Sequence, residues 1–252
     1  MAEGPARINK KRGGEHEKIF IVIFLISSFS IAGLAREDQL EKATNVVEEI
    51  MGTPDKGIPK DLLDHAVCVG IVPSELKAAF LVGGTYGRGV LVCRTHGDGP
   101  WGAPSKFTLG EGSFGFQIGG ESTDVVFLVM NSSGARKLVE DKVKLGADIS
   151  IAAGPLGRSA EGATDAQLHA EILSYSRTRG QFAGVSLSGA VFKQDRDANR
   201  ELYWRPVTAK ELLIDGDVPA PAEAAPLDTE LAKYSPQGGH RFEPLTGSVD
   251  VH

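Results

Sequence analysis

The chain is poor in the residues that build metal and redox centres. It has two cysteines, Cys68 and Cys93, and six histidines in 252 residues. Beyond the N-terminal stretch the histidines are His65, His96, His169, His240 and His252, and none has metal-ligand spacing, so no metal or other cofactor is expected. An excess of positive charge is also lacking: 27 basic residues stand against 33 acidic ones, a net charge of −6. That excludes broad electrostatic binding to nucleic acid, where affinity comes mostly from phosphate neutralisation. Regular alternation of strands with long helices is missing as well, which excludes a doubly wound α/β fold.

What is present begins with an N-terminal segment unlike the rest. A basic stretch (Arg7, Lys10, Lys11, Arg12, Lys18) precedes the apolar run Ile19–Leu34, and Gly33 and Ala35 occupy the −3 and −1 positions a signal peptidase favours. The run is 16 residues long, short for a relaxed membrane span. Residues 1–35 therefore read as a cleaved signal peptide, with an uncleaved N-terminal anchor as the alternative. Removing them takes away five basic and three acidic residues and leaves 22 against 30, a net −8. Neither cysteine is near the cleavage zone, which argues against a lipoprotein.

Residues 38–51 place Leu40, Ala43, Val47 and Ile50 at spacings of three and four, an amphipathic helix. The stripe is narrow and its polar face acidic, so packing on the domain is favoured over lying on a membrane. "GTPDKG" breaks it, and "IPKDLLDHA" restarts a short helix with Pro59 in its first turn. From residue 66 to 192 the character is β. "AVCVGIVP", "AAFLVGGTYGRGVLVCRT" and "SKFTLGEGSFGFQIGGESTDVVFLVM" are rich in β-branched and aromatic residues bounded by turn formers. "DVVFLVM" is apolar at consecutive positions, as in a strand buried on both faces. "NSSGARKLVEDK" reads as a helix capped by Ser132 or Ser133. Ile149 and Ile151, then Ile172, Leu173 and Tyr175, suit half-buried strands. Two closing helices are expected within 197–215, and residues 216–252, without period, read as a disordered tail. The fold class is α+β: a mostly antiparallel, barrel-like or sandwiched sheet with short helices at its ends.

Cys68 and Cys93 fall in the first and third of three successive strand-like runs. In a simple meander those strands flank the second and stand about 10 Å apart, too far for a bridge. Buried free thiols are the favoured reading, and a disulfide the alternative.

Several motifs invite a catalytic reading and fail on their context. Gly110, Gly112 and Gly115 match a dinucleotide or kinase loop, but β character continues where a dinucleotide site needs a helix, and the chain has no H-R-D or D-F-G. "GVSLSG" puts Ser188 where a nucleophile elbow closes on glycine, which leaves Ser186 a remote hydrolase candidate. Asp195, Asp197, Asn199 and Glu201 alternate like a calcium loop, but Arg200 replaces the turn glycine and Pro206 the closing glutamate, so the segment reads as a solvated turn entering a helix. Asn131 heads a formal glycosylation sequon, a pattern frequent by chance.

Five ordered motifs carry more weight together: "GIVP" at 70–73, "FLVGGTYGRGVL" at 80–91, "GEGSFGFQIGGESTDVVFLV" at 110–129, "LGADISIAAGPLGR" at 145–158 and "YSRTRGQFAGVSLSGAVF" at 175–192. They resemble the SYLF domain, over about Leu40 to Ile214, and the domain is assigned to residues 36–215. The resemblance implies a non-enzymatic domain that binds lipid, with phosphoinositide-type headgroups recognised by eukaryotic members through a basic amphipathic N-terminal segment. Some of those members bind actin and carry SH3 or FYVE partner domains. Bacterial members are mostly exported, which suits the signal-peptide reading and a periplasmic or secreted location.

One departure bears on mechanism. The segment matching the membrane-contacting helix sets Lys42, Lys56 and Lys60 against Glu37, Asp38, Glu41, Glu48, Glu49, Asp55 and Asp61. A second basic candidate is the pair Arg177 and Arg179, which share a strand face through their spacing of two and have the bidentate geometry for phosphate. The expected function is non-catalytic binding of a lipid or membrane surface through these cations. An envelope protein-interaction role with a protein partner and no lipid binding is the alternative.

Overall fold

The computed structural model describes residues 39–52, 57–73, 77–79, 84–111, 123–157, 167, 169–178 and 181–237. The N-terminal segment, the candidates Lys56 and Arg179, most of the glycine-rich stretch after Glu111 and the last fifteen residues lie outside them. Among the described residues no helix is long and apolar enough to cross a membrane.

Among the described residues ten strands form one curled, half-barrel sheet. They are β1 Cys68–Val72, β2 Lys77–Ala79, β3 Gly84–Cys93, β4 Ser105–Glu111, β5 Thr123–Val129, β6 Lys142–Lys144, β7 Ile151–Ala153, β8 Ile172–Thr178, β9 Gln181–Gly184 and β10 Ala190–Gln194. The lateral order is β6-β10-β4-β3-β1-β5-β8-β7, with β2 paired to β3 and β9 to β8. Every pairing is antiparallel except β7 with β8. Five α-helices among the described residues accompany the sheet: α1 Gln39–Met51, α2 Lys60–His65, α3 Ser132–Leu138, α4 Arg196–Tyr203 and α5 Ala225–Tyr234. A π-helical turn spans Glu211–Asp215. The α+β expectation holds.

The central strands bury both faces. All seven residues of β5 are buried. Val125, Phe127 and Val129 point into one core with Leu91, Phe107 and Phe192, while Val126 and Leu128 point into a second with Val69, Ile71, Val90 and Val92. This is why "DVVFLV" shows no polar alternation although its neighbours are antiparallel. β8 behaves likewise over Ile172–Tyr175, which are buried on both sides and not half-buried as the alternation suggested.

The first core is centred on three rings. Phe107 stacks on Phe192 with centroids 4.5 Å apart, and Phe127 meets both edge-on at 5.7 and 6.4 Å. Two glycines make room for them. Gly70 pairs with Phe127 across β1 and β5, and Gly89 with Phe107 across β3 and β4. A Cβ at Gly70 would stand 2.1 Å from the Phe127 ring, and one at Gly89 would stand 2.4 Å from Phe107 and 2.7 Å from the Ile71 carbonyl oxygen. Here glycine in a strand serves close approach.

The second core is roofed by helices. Leu40, Ala43, Val46, Val47, Ile50 and Met51 of α1 are all buried, against the sheet and against Leu227 and Leu231 of α5. The packing reading of α1 is therefore the one observed. Helix α5 corrects the expectation of a tail from residue 216. Its Leu227 and Leu231 are one turn apart and essentially inaccessible, and Ala224 before it is buried too, so the chain stays part of the fold through Ser235.

The cysteines require a second correction. β2 pairs with the start of β3, at Gly84–Tyr86, and β1 pairs with its far end, at Val90–Cys93, so β3 lies directly beside β1. Cys68 and Cys93 then lie in register and form a disulfide. In a simple meander β2 would come between β1 and β3, and here it does not. A third correction is small: α3 is capped by Asn131, whose Oδ1 accepts from Gly134 N–H, and not by Ser132 or Ser133.

The ring-over-glycine contacts predict the effect of one methyl group. Gly70→Ala should destabilise the domain by about 1–3 kcal/mol through overpacking, measured by urea unfolding. Adding Phe127→Leu should recover part of that loss, whereas strict additivity would mean that the ring does not set the requirement.

Candidate functional site

Arg177, on β8, has a neighbour in register on β5, Asp124. The face they share is the one roofed by α1, which brings Glu49 over them. The Arg177 guanidinium forms ion pairs with Asp124 at 3.1 Å and with Glu49. Asp124 is 7% exposed. A buried carboxylate needs a cationic partner, and removing that partner is costly. Arg177 thus neutralises a core acid and ties α1 to the sheet. Two carboxylates around one guanidinium leave a local negative excess, the reverse of a phosphate clamp.

The lysine candidates have acidic company too. Lys60, exposed on α2, pairs with Asp64 one turn on at 2.6 Å. Lys42 is partly buried on α1, two turns before Glu49 and so about 10 Å from it along the axis. The structure therefore does not gather the candidates: Arg177 reaches α1 at Glu49, Lys42 lies two turns earlier on that helix, and Lys60 belongs to α2.

A buried arginine that sequence reasoning passed over has a larger structural role. Arg94 is 2% exposed. Its Nε donates to the Ala66 carbonyl, Nη1 to Gly99 and Nη2 to the hydroxyl and carbonyl oxygens of Ser235. The guanidinium also stacks 4.0 Å from the Trp101 ring, and Trp101 Nε1 donates to the same Ser235 carbonyl. Ser235 Oγ donates in turn to Asp64. Burial lowers the Arg94 pKa to about 10, partly offset by the Asp64 charge. This network clips the end of α5 to α2 and β3. Its sequence signal was the leucine pair of α5, without which Ser235 has no reason to be ordered.

Among the described residues Ser186, the acidic series from Asp195 and the cavity beside the disulfide do not assemble a catalytic set. A cavity of about 360 Å³ opens beside the disulfide, lined by Arg94, His96, Arg136 and Leu213 among others. Ser186 Oγ lies 3.0 Å from Ser188 Oγ, two exposed hydroxyls sharing a hydrogen bond without a base. Asp195, first in the calcium-like series, caps α4 by accepting from Ala198 N–H, Asp197 pairs with Arg200, and Asn199 is buried on the Lys106 backbone. These are the contacts of a helix start. Among the described residues no three His, Cys, Asp or Glu side chains are placed to hold a metal.

Comparison with known proteins agrees with this frame. A family profile described as "Las17-binding protein actin regulator", Ysc84, matches residues 110–234, which run from β4 to the last residue of α5. The chain belongs to the SYLF (Ysc84) family. An SH3 domain-containing protein of Schizosaccharomyces pombe is 44% identical over 173 residues, 68% of this chain and 40% of the relative. LAS seventeen-binding protein 3 of Saccharomyces cerevisiae is 37% identical over 194 residues, 74% of this chain and 42% of the relative. Human SH3 domain-containing YSC84-like protein 1 is 33% identical over 212 residues, 80% of this chain and 61% of the relative. The chain thus spans between two fifths and three fifths of these relatives.

One titrating group on α5 gives a test of its docking. Asp228 has a buried Oδ1 without a hydrogen-bond partner, and burial pushes its pKa up to about 7. The folded protein therefore keeps a proton that the unfolded chain loses near pH 4. Stability should fall as pH rises from about 4 to about 7 and level off above that. Asp228→Asn should flatten this slope and raise stability at pH 8 by about 1–2 kcal/mol, discounted because the group retains some water. Urea unfolding across pH measures it, and an unchanged slope would contradict the assignment.

Proposed function

We propose that this chain is a non-catalytic SYLF domain that docks on anionic membrane surfaces by electrostatic contact, without inserting its N-terminal helix. The observation that carries the mode of binding is the burial of the whole apolar face of α1. Laying α1 in a bilayer would strip the roof from Val69, Ile71, Val90 and Val92 and from the leucines of α5. At about 1.5–3 kcal/mol for each large apolar side chain exposed, the loss rivals the 5–15 kcal/mol that holds a whole domain together. A folded domain therefore meets a membrane through side chains already at its surface. Lipid as the ligand rests on family membership.

A second reading follows from the relatives' names, which describe binding to Las17 and regulation of actin. On that reading the domain holds a protein partner. The two are separable, since a protein partner would be captured at a fixed stoichiometry by a chain that ignores vesicles. The Ser186 hydroxyl meets another serine, which is not the pairing of a hydrolase nucleophile with its base. For location, the Cys68–Cys93 disulfide supports an oxidising compartment, in line with residues 1–35 as an export signal.

Co-sedimentation of the protein with neutral, cardiolipin-containing and phosphoinositide-containing vesicles tests the proposal. Binding should require anionic lipid and weaken steeply as ionic strength rises, because exposed charges are screened within about 10 Å at 0.1 M salt. No binding to any vesicle at low salt, or binding indifferent to salt, would refute it.

A further inference from the structure

The sheet face that α1 and α5 roof over β1, β5, β8 and the Val90–Val92 end of β3 continues past Arg88 onto β4, β10 and β6, where its lysines reach the surface. The register aligns a row across these four strands: Lys142 on β6 faces Lys193 on β10, Lys193 faces Thr108 on β4, and Thr108 faces Arg88 on β3. Lys144 lies beside Lys142 on the same face of β6, whose middle residue, Val143, turns into the core. Lys106 lies beside Thr108 on β4. Lys142, Lys144, Lys193 and Arg88 are exposed, and Lys106 and Thr108 partly so. Five cations thus share one face of a chain whose net charge is −6. The flanking acids border this face: Asp141 pairs with Arg196, and Asp148 accepts from the Lys144 backbone N–H.

Lys142 and Lys193 stand directly opposite each other. Like charges in that position destabilise a sheet, so the fold gains nothing from the pair. The row spans three inter-strand spacings, about 14 Å, and the lysines along β6 are about 7 Å apart. That array is too broad for one small anion. Its centre is lysine and threonine, and the aliphatic side chain beside them, Val191 on β10, is already partly buried, whereas protein–protein interfaces deplete lysine from their cores and concentrate affinity in buried aromatic residues. A planar, laterally mobile layer of negative charge is the partner such an array fits.

We infer that the exposed β6-β10-β4-β3 face, with Lys142, Lys144 and Lys193 at its centre and Lys106 and Arg88 extending it, is the surface that meets anionic phospholipid. The inference rests on the membrane reading above and locates its contact away from Lys42, Lys60 and Arg177.

The experiment compares the full chain with Lys142→Glu/Lys193→Glu and with Lys42→Glu/Lys60→Glu, using phosphatidylcholine vesicles with and without phosphatidylserine. A lysine at an anionic surface contributes roughly a fivefold gain in partition, so the first variant should bind at least tenfold more weakly and the second within about twofold of wild type. Lys142→Gln/Lys193→Gln should weaken binding while raising the melting temperature, since it removes the like-charge pair. A purely structural role for these lysines would lower both. If wild type binds phosphatidylserine vesicles and the sheet variants bind equally well, this surface is wrong and the membrane reading stands. If wild type binds no vesicle, the membrane reading fails and the surface falls with it. If the reversal abolishes co-sedimentation with filamentous actin and leaves vesicle binding intact, the face belongs to a protein partner, and the inference is overturned.

Discussion

The structure depends on a sheet whose central strands are apolar on both sides. β1, β3, β5 and β8 carry buried residues at consecutive positions, so each face must be covered. On one side the sheet curls on itself and fills the hollow with Phe107, Phe127 and Phe192, aided by two strand glycines that let rings lie against backbone. On the other side α1 and α5 supply the roof. Most remaining features follow from that division, including the clip at Arg94, which fastens the end of α5, and the Glu49–Arg177–Asp124 contact, which fastens α1.

The same division limits how the domain can bind. A helix that roofs a core is not available to lie in a bilayer, and an arginine that neutralises a buried aspartate is not available to a phosphate. The exposed lysines of β6 and β10 have no share in the core. They gather where the roof ends and the sheet continues uncovered, on the strands that carry lysine in place of valine.

How far the sequence was readable follows from the range of each interaction. Helix α1 and the two-sided burial of β5 were legible because periodicity records burial locally. The family was legible from five ordered motifs, although most of the glycine-rich stretch that first suggested a phosphate loop lies outside the described residues. The disulfide was not, because it depends on β1 and β3 pairing directly, with β2 at the other end of β3. Helix α5 was missed because an alanine- and proline-rich approach hid a leucine pair whose partners are some 180 residues earlier. Arg177 and Arg179 share a spacing that suggested a clamp, but spacing cannot reveal that α1 brings Glu49 onto the first of them. The basic row was hidden for the same reason. "KVK" and "VFKQ" alternate visibly, yet only strand order sets Lys142 against Lys193.

The central claim is that the domain meets its partner with α1 still docked. Hydrogen exchange, followed by mass spectrometry with and without anionic vesicles, tests this most directly. The account predicts unchanged protection in residues 39–51 and 225–234, with slower exchange on β6 and β10 when vesicles are present. Loss of protection in α1 and α5 on vesicle addition, with no change on β6 and β10, would contradict it.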